Sequence, residues 1–162
     1  MEKAIDAVLA ETGLPARYLE LELTETALMQ TSRENNDVLR RIHDHGIRIT
    51  IDDFGTGYSS LDYLRRYPVD RIKIAQTFVE NIPTDSGNVA IVKATIGLAR
   101  ELKINVIAEG VETAVQLDLL IEWGCREVQG FYYSQPLAAS DTKRLLRADK
   151  IVPSEHPVTV IA

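Results

Sequence analysis

The 162-residue chain is long enough for one domain with a sizeable core, and its 45% hydrophobic and 26% charged residues are ordinary for a soluble globular protein. A net charge of −6 argues against a broad surface for polymeric nucleic acid, but leaves room for one small phosphate ligand carried on metal ions. No apolar run nears the ~18 residues of a membrane span, and no signal-peptide pattern opens the chain. A single cysteine, Cys125, precludes an intramolecular disulfide and fits a reducing compartment such as the cytoplasm.

The spacing of apolar residues predicts a helix over 2–12, with Ala4, Ile5, Val8 and Leu9 on one face and Gly13 and Pro15 as stops. "YLELEL" (18–23) alternates strictly and reads as a strand. A helix follows over 34–45, with Val38, Leu39 and Ile42 inward and Gly46 at its end, and then a strand over 47–52. "SSLDYLRRY" (59–67) is a short helix with Ser59 or Ser60 as N-cap and Pro68 as a stop. "RIKIA" (71–75) is a strand. Residues 87–102 form a longer helix with Ile91, Ala94, Thr95, Leu98 and Leu102 at helical spacing. A strand at 104–109, a helix at 113–123 ended by Gly124, a strand at 127–131 and a helix at 140–148 capped by Ser140 complete the pattern. Alternation of this kind indicates βα units and a parallel sheet, here one domain over 1–148. Residues 149–162 are a tail whose two prolines break the pattern.

Strands of a parallel sheet are usually apolar on both faces. These five are not. Leu19, Leu21 and Leu23 oppose Tyr18, Glu20 and Glu22; Ile47, Ile49 and Ile51 oppose Arg48, Thr50 and Asp52. Ile72 and Ile74 oppose Arg71, Lys73 and Ala75; Ile104, Val106 and Ala108 oppose Asn105, Ile107 and Glu109; Val128 opposes Glu127 and Gln129. A flat sheet covered by helices on both sides has no place for these charges. A barrel does, with the aliphatic face toward outer helices and the polar face in the lumen. Glu22, Asp52, Lys73, Glu109 and Gln129 share the lumen parity at or near strand C-terminal ends, where (β/α)-barrel enzymes build their sites. An exposed loop charge is the bland reading of any one of them, and it weakens when five fall in one phase.

Several carboxylates at one barrel mouth need a counter-charge, which a divalent cation supplies. All-oxygen ligands suggest Mg²⁺, Mn²⁺ or Ca²⁺. The adjacent Asp52 and Asp53 suit a pair of ions clamping a phosphoryl displacement, although Asp53 has the wrong parity unless the chain turns there. Lys73 is then a candidate to orient water or neutralise phosphate; its competing reading is a buried salt bridge to Asp52 or Glu109 with no part in chemistry. "GTGYSS" (55–60) lacks the Lys-Ser/Thr of a Walker loop and reads as a tight, mobile turn. No Ser/His/Asp triad is apparent: His43, His45 and His156 read as surface residues, and Cys125 as a small buried one.

"LELTET" (21–26), "IDDFGTGYSSLDYL" (51–64), "IKIAQTFV" (72–79), "VIAEGVET" (106–113) and "VQGFYYSQPL" (128–137) resemble, in order and spacing, the C-terminal two-thirds of EAL domains, bacterial phosphodiesterases that hydrolyse cyclic di-GMP to pGpG. The resemblance implies a partial TIM-like (βα) barrel with a two-metal Mg²⁺ or Mn²⁺ site. It makes Glu22 and Asp52 ligands of one ion, and Asp52, Asp53 and Glu109 ligands of the other. Lys73 would contact the attacking water, and with Glu109 it carries the catalysis. Glu25 would tether the "DFGTGYSS" loop, while Glu112 and Gln129 would support or contact the substrate. Two departures stand out. The family's "K-I-D" pattern has Ala75 in place of its aspartate, removing a lumen carboxylate that the second ion would use. The Glu-Ala-Leu segment and a following metal-binding asparagine have no counterpart in this chain.

A complete barrel needs eight strands and about 250 residues. With five strands, two edges stay unpaired, so the chain is expected to form a homo-oligomer through those edges, and its apolar tail to cover an edge in the same way. The resemblance leaves three expectations: impaired or absent cyclic di-GMP hydrolysis, binding of the dinucleotide without cleavage, or an inactive self-associating fragment.

Overall fold

The computed structural model describes residues 2–29, 33–57, 61–147 and 159–160. Helices and strands alternate: α1 (Glu2–Thr12), β1 (Glu20–Thr24), α2 (Glu25–Met29), α3 (Arg33–Asp44), β2 (Arg48–Phe54), α4 (Tyr63–Arg66), β3 (Arg71–Ile74) and α5 (Gln76–Val79). They continue with α6 (Ser86–Leu102), β4 (Asn105–Ala108), α7 (Ala114–Trp123), β5 (Glu127–Val128), α8 (Ala139–Arg147) and β6 (Thr159–Val160). The sheet follows chain order, β1-β2-β3-β4-β5-β6, and stays open. Pairings β1–β2, β4–β5 and β5–β6 are parallel. This is the α/β fold of a partial barrel. Two compact units divide the chain, Met1–Ile72 and Lys73–Ala162.

In the first unit β1 pairs β2 in the register Glu20↔Arg48, Glu22↔Thr50 and Thr24↔Asp52. Ile49 and Ile51 are fully buried, and α3 packs on this strand and buries Leu39 and Ile42. β1 starts at Glu20 rather than Tyr18, because Pro15 opens a 3-10 turn over Ala16–Tyr18 that leaves Tyr18 exposed. α1 buries none of its residues: Ile5 and Leu9 are only half-covered and Val8 is exposed. Instead α1 is tied to α3 by Arg41, whose guanidinium donates to both carboxylate oxygens of Glu2 at 2.7 and 3.2 Å and lowers the pKa of that acid.

The core of the second unit gathers Ile74, Val79, Ile82, Val92, Ile96, Ala108, Val111, Leu117, Leu120 and Val128 around Cys125. Helix α6 is capped by Asp85, which accepts N–H bonds from Gly87 and Asn88, and ends on Lys103 in the left-handed conformation. Its buried stripe is Val92, Thr95, Ile96 and Ala99, with Ile91 outside, so the expected face is rotated by about one residue. This helix is apolar around much of its circumference, and periodicity alone cannot choose between neighbouring stripes. α8 begins at Ala139, which places Ser140 inside the first turn rather than at the cap. Ser59 and Ser60, the caps expected for α4, and tail residues 149–158 lie outside the described residues. Within the tail, Thr159 and Val160 pair in parallel with Glu127 and Val128, so this short strand lies on the edge of β5.

β5 is two residues long where five were expected. Beyond it the chain leaves the ladder to wrap Val111, which donates to Gln129 O and accepts from Tyr132 N. A Cβ on Gly130 would lie 2.2 Å from Val111 O, so only glycine permits this approach. The helix after β4 is held in place by Gln116, which is 4% exposed. Its Oε1 accepts from the backbone of Glu112 (2.8 Å) and Thr113 (2.9 Å), and its Nε2 donates to Val79 O and Glu80 O. Thr113 completes a capping box with it.

Replacing Gln116 by Leu removes the side-chain partner of two backbone N–H donors and two carbonyl acceptors. The expected cost is about 3 kcal/mol, read as a lowered denaturation midpoint with an unchanged denaturant slope. Burial raises the Cys125 thiol to about 12, so almost none of it is thiolate near neutral pH. The native chain is expected to resist thiol alkylation at pH ~8 and to label fully once unfolded.

Candidate active site

Within the first unit, Glu22 sits in the middle of β1 and is exposed, and Asp52 is half-buried on β2. Asp53, the next residue, has φ +52°, and its N–H donates to Asp52 Oδ1 at 3.0 Å. A left-handed residue interrupts the two-residue alternation of the strand, which is the turn that Asp53 needs to leave the wrong parity. Aspartate tolerates this conformation better than most side chains do.

Glu25, the first residue of α2, is 4% exposed. Its carboxylate accepts the Gly55 N–H at 3.1 Å, and Thr24 Oγ1 caps the helix by accepting from Ala27. A Cβ on Gly57 would lie 3.1 Å from Glu25 Cδ, so the loop after β2 lies directly on this carboxylate. Tyr63, buried in α4, has its phenol pushed upward in pKa by burial and then by the charge of Glu25.

Two residues below Glu22 and Asp52 on the same faces lie Glu20 and Thr50. The Thr50 hydroxyl donates to Glu20 Oε1, and Arg71 Nη1 lies 2.7 Å from Glu20 Oε2. Thr50 is fully buried, and the Arg71 and Glu20 side chains are 13% and 22% exposed. Sequence parity put these residues on the polar face without showing that they pair.

In the second unit, Lys73 is 6% exposed on β3, and its Nζ lies 2.7 Å from Glu109 Oε1. Glu109 follows β4 directly and donates its N–H to Ile74 O. Glu109, Glu112 and Gln129 line one cavity of about 160 Å³, together with Gln76, Gly110 and Phe131. Sequence reading had not singled out those last three; the available signal was their position directly after "RIKIA", "AE" and "QG" at strand ends. Ala75 is 2% exposed and stands at the N-cap of α5, where it makes no side-chain cap bond.

These features coincide with known proteins. The EAL domain family model matches residues 1–136. Cyclic di-GMP phosphodiesterase NbdA of Pseudomonas aeruginosa is 45% identical over 140 residues, which is 86% of this chain and 18% of NbdA. The EAL domain of Mycobacterium smegmatis DcpA superposes with a TM-score of 0.86 at 37% identity, covering 93% of this chain and 67% of that one. Klebsiella pneumoniae BlrP1, solved as a manganese and cyclic di-GMP complex, gives a TM-score of 0.76 at 36% identity over 83% of this chain and 34% of its own. The chain belongs to the EAL domain family. It spans about a fifth of the length of NbdA and two-thirds of the DcpA domain.

The left-handed backbone at Asp53 sets a clear expectation. Asp53→Val should cost about 1–2 kcal/mol in thermal denaturation without divalent ions, whereas Asp53→Gly should cost nothing. Equal losses in both would mean that the side chain, not the backbone angle, sets the stability there.

Proposed function

We propose that this chain forms the C-terminal part of a cyclic di-GMP phosphodiesterase domain of the bacterial cytoplasm, cleaving the dinucleotide to pGpG with Mg²⁺ or Mn²⁺. The observation that carries the reading is the buried Lys73 ammonium fixed 2.7 Å from Glu109 beside a cavity edged by carboxylates. The likeness to the family supports Glu22 and Asp52 as donors to one ion, and Asp52, Asp53 and Glu109 as donors to a second; all are oxygen donors, which suit a hard divalent ion. Such ions supply Lewis acidity and a water of lowered pKa. Glu109 Oε1 lies 2.7 Å from Lys73 Nζ, which fixes the two side chains to each other. Held there, Lys73 orients the water that attacks phosphorus as the bond to the 3′ oxygen breaks. Glu25 anchors the loop that follows Asp52 and Asp53, through the Gly55 N–H. Glu112 and Gln129 contact the substrate from the cavity wall. Copies of the chain associate through unpaired sheet edges, and a monomer in light scattering at micromolar concentration would refute that last point.

Ala75 favours a second reading, in which the site binds the dinucleotide and does not cleave it. An aspartate at this N-cap would both bond the start of α5 and add a carboxylate to the site.

Incubation with cyclic di-GMP and Mn²⁺ is expected to yield pGpG, and Asp52→Asn to lower the rate at least ~100-fold with an unchanged melting temperature. Calorimetric binding without product supports the second reading, and Ala75→Asp should then bring turnover. Neither binding nor product would sink both readings.

A further inference from the structure

A second cavity of the second unit, of about 300 Å³, lies at the other ends of its strands. Asn105 and Glu127, which open β4 and β5, line it, whereas Glu109 and Gln129 follow the far ends of those strands. Ile96, Ile104 and Val106 supply apolar surface, and Arg100 and Arg126 line the same space. Its volume is at the lower end of the range for small-molecule sites. Arg100, in the last turn of α6, is held in place: its Nη2 donates to Trp123 O at 3.1 Å, at the end of α7. A Cβ on Gly124 would lie 3.0 Å from that nitrogen, so the glycine that ends α7 also leaves the guanidinium its path. The bland reading of Arg100 is a cap on α7, since a cation suits a helix C-terminus. That bond uses only one of its N–H donors. Capping does not explain Arg126, which makes no hydrogen bond or ion pair among the described residues.

We propose that this cavity binds a small organic monocarboxylate, with its oxygens on Arg126 and Arg100 and its apolar body against Ile96, Ile104 and Val106. The two arginines outweigh the one carboxylate of Glu127, so the cavity is locally cationic in a chain of net charge −6. A single negative charge balances that excess, whereas a phosphate monoester near neutral pH overshoots it. The flat guanidinium fork matches the two oxygens of a carboxylate, and the aliphatic side chains match an apolar body. The inference goes beyond the phosphodiesterase reading and does not rest on it, because no residue of this cavity is among the metal donors or substrate contacts named above.

The test is titration of the full chain with benzoate at constant ionic strength, read on backbone amide resonances. Saturable shifts are expected at Asn105, Gly124 and Arg126, with Glu109 and Gln129 unmoved. Arg126→Met should weaken benzoate about 10-fold at an unchanged melting temperature, the loss of one charge-assisted contact. Benzyl alcohol, the same body without the charge, should bind about 10-fold more weakly than benzoate for the same reason. Should Arg126→Met fail to fold, Arg126→Lys decides: it keeps the charge, loses the fork, and is expected to bind benzoate several-fold more weakly. Shifts that rise without saturating, or that centre on other residues, overturn the proposal. So does a folded Arg126→Met that binds benzoate as the parent does, or benzyl alcohol that binds as well as benzoate. Inorganic phosphate displacing benzoate from these residues at lower concentration overturns the assignment to a carboxylate.

Discussion

The two-residue alternation of the strands is the constraint on which the site depends. A side chain on a strand faces either the helices or the opposite side, and the choice is set by count alone. In β2 the isoleucines at 49 and 51 take the buried aliphatic face, so Thr50 and Asp52 must take the other. The apolar half is driven by water exclusion, which is non-directional and roughly proportional to area. It places the polar half as a consequence, and a carboxylate that would not choose this crowding is carried into it. Asp52 is therefore positioned by Ile49 and Ile51 as much as by any hydrogen bond of its own.

Crowded charge on such a face has to be balanced locally, and each unit does so with an ion pair. In the first unit the Glu20 carboxylate meets the Arg71 guanidinium and the Thr50 hydroxyl. A buried pair of this sort gains little net stability over apolar residues, because desolvation offsets most of the attraction. In the second unit Lys73 and Glu109 form another such pair, but at the strand end, where Glu109 also lines a cavity.

Much of this was legible in the sequence because alternation leaves a plain record. The strands and the long helix α6 follow from counting. What was not legible depends on features without a period. The inner face of α6 was misplaced because Ile91 and Val92 are equally apolar and only packing separates them. Ile107 sits on the polar parity and is buried, so that face is not polar throughout. The truncation of β5 follows from a contact between Gly130 and Val111, nineteen positions apart in sequence (130 − 111), which no local pattern reports. The short helices α2 and α5, each under two turns, are too brief to show a helical period.

The loops, by contrast, are fixed by single buried polar side chains rather than by a pattern. Glu25 accepts from Gly55 below the loop after β2, and Gln116 satisfies four backbone groups around the start of α7. Both side chains are nearly inaccessible to water, so their own polar atoms depend on these backbone partners. Loss of such a bond is costly and local, whereas a repacked isoleucine spreads its cost over many neighbours. The strands thus set which residues face the site, and two buried side chains set how the loops beyond them lie. A site assembled in this way can change its loop geometry by exchanging one hydrogen bond, with the sheet beneath it unaltered.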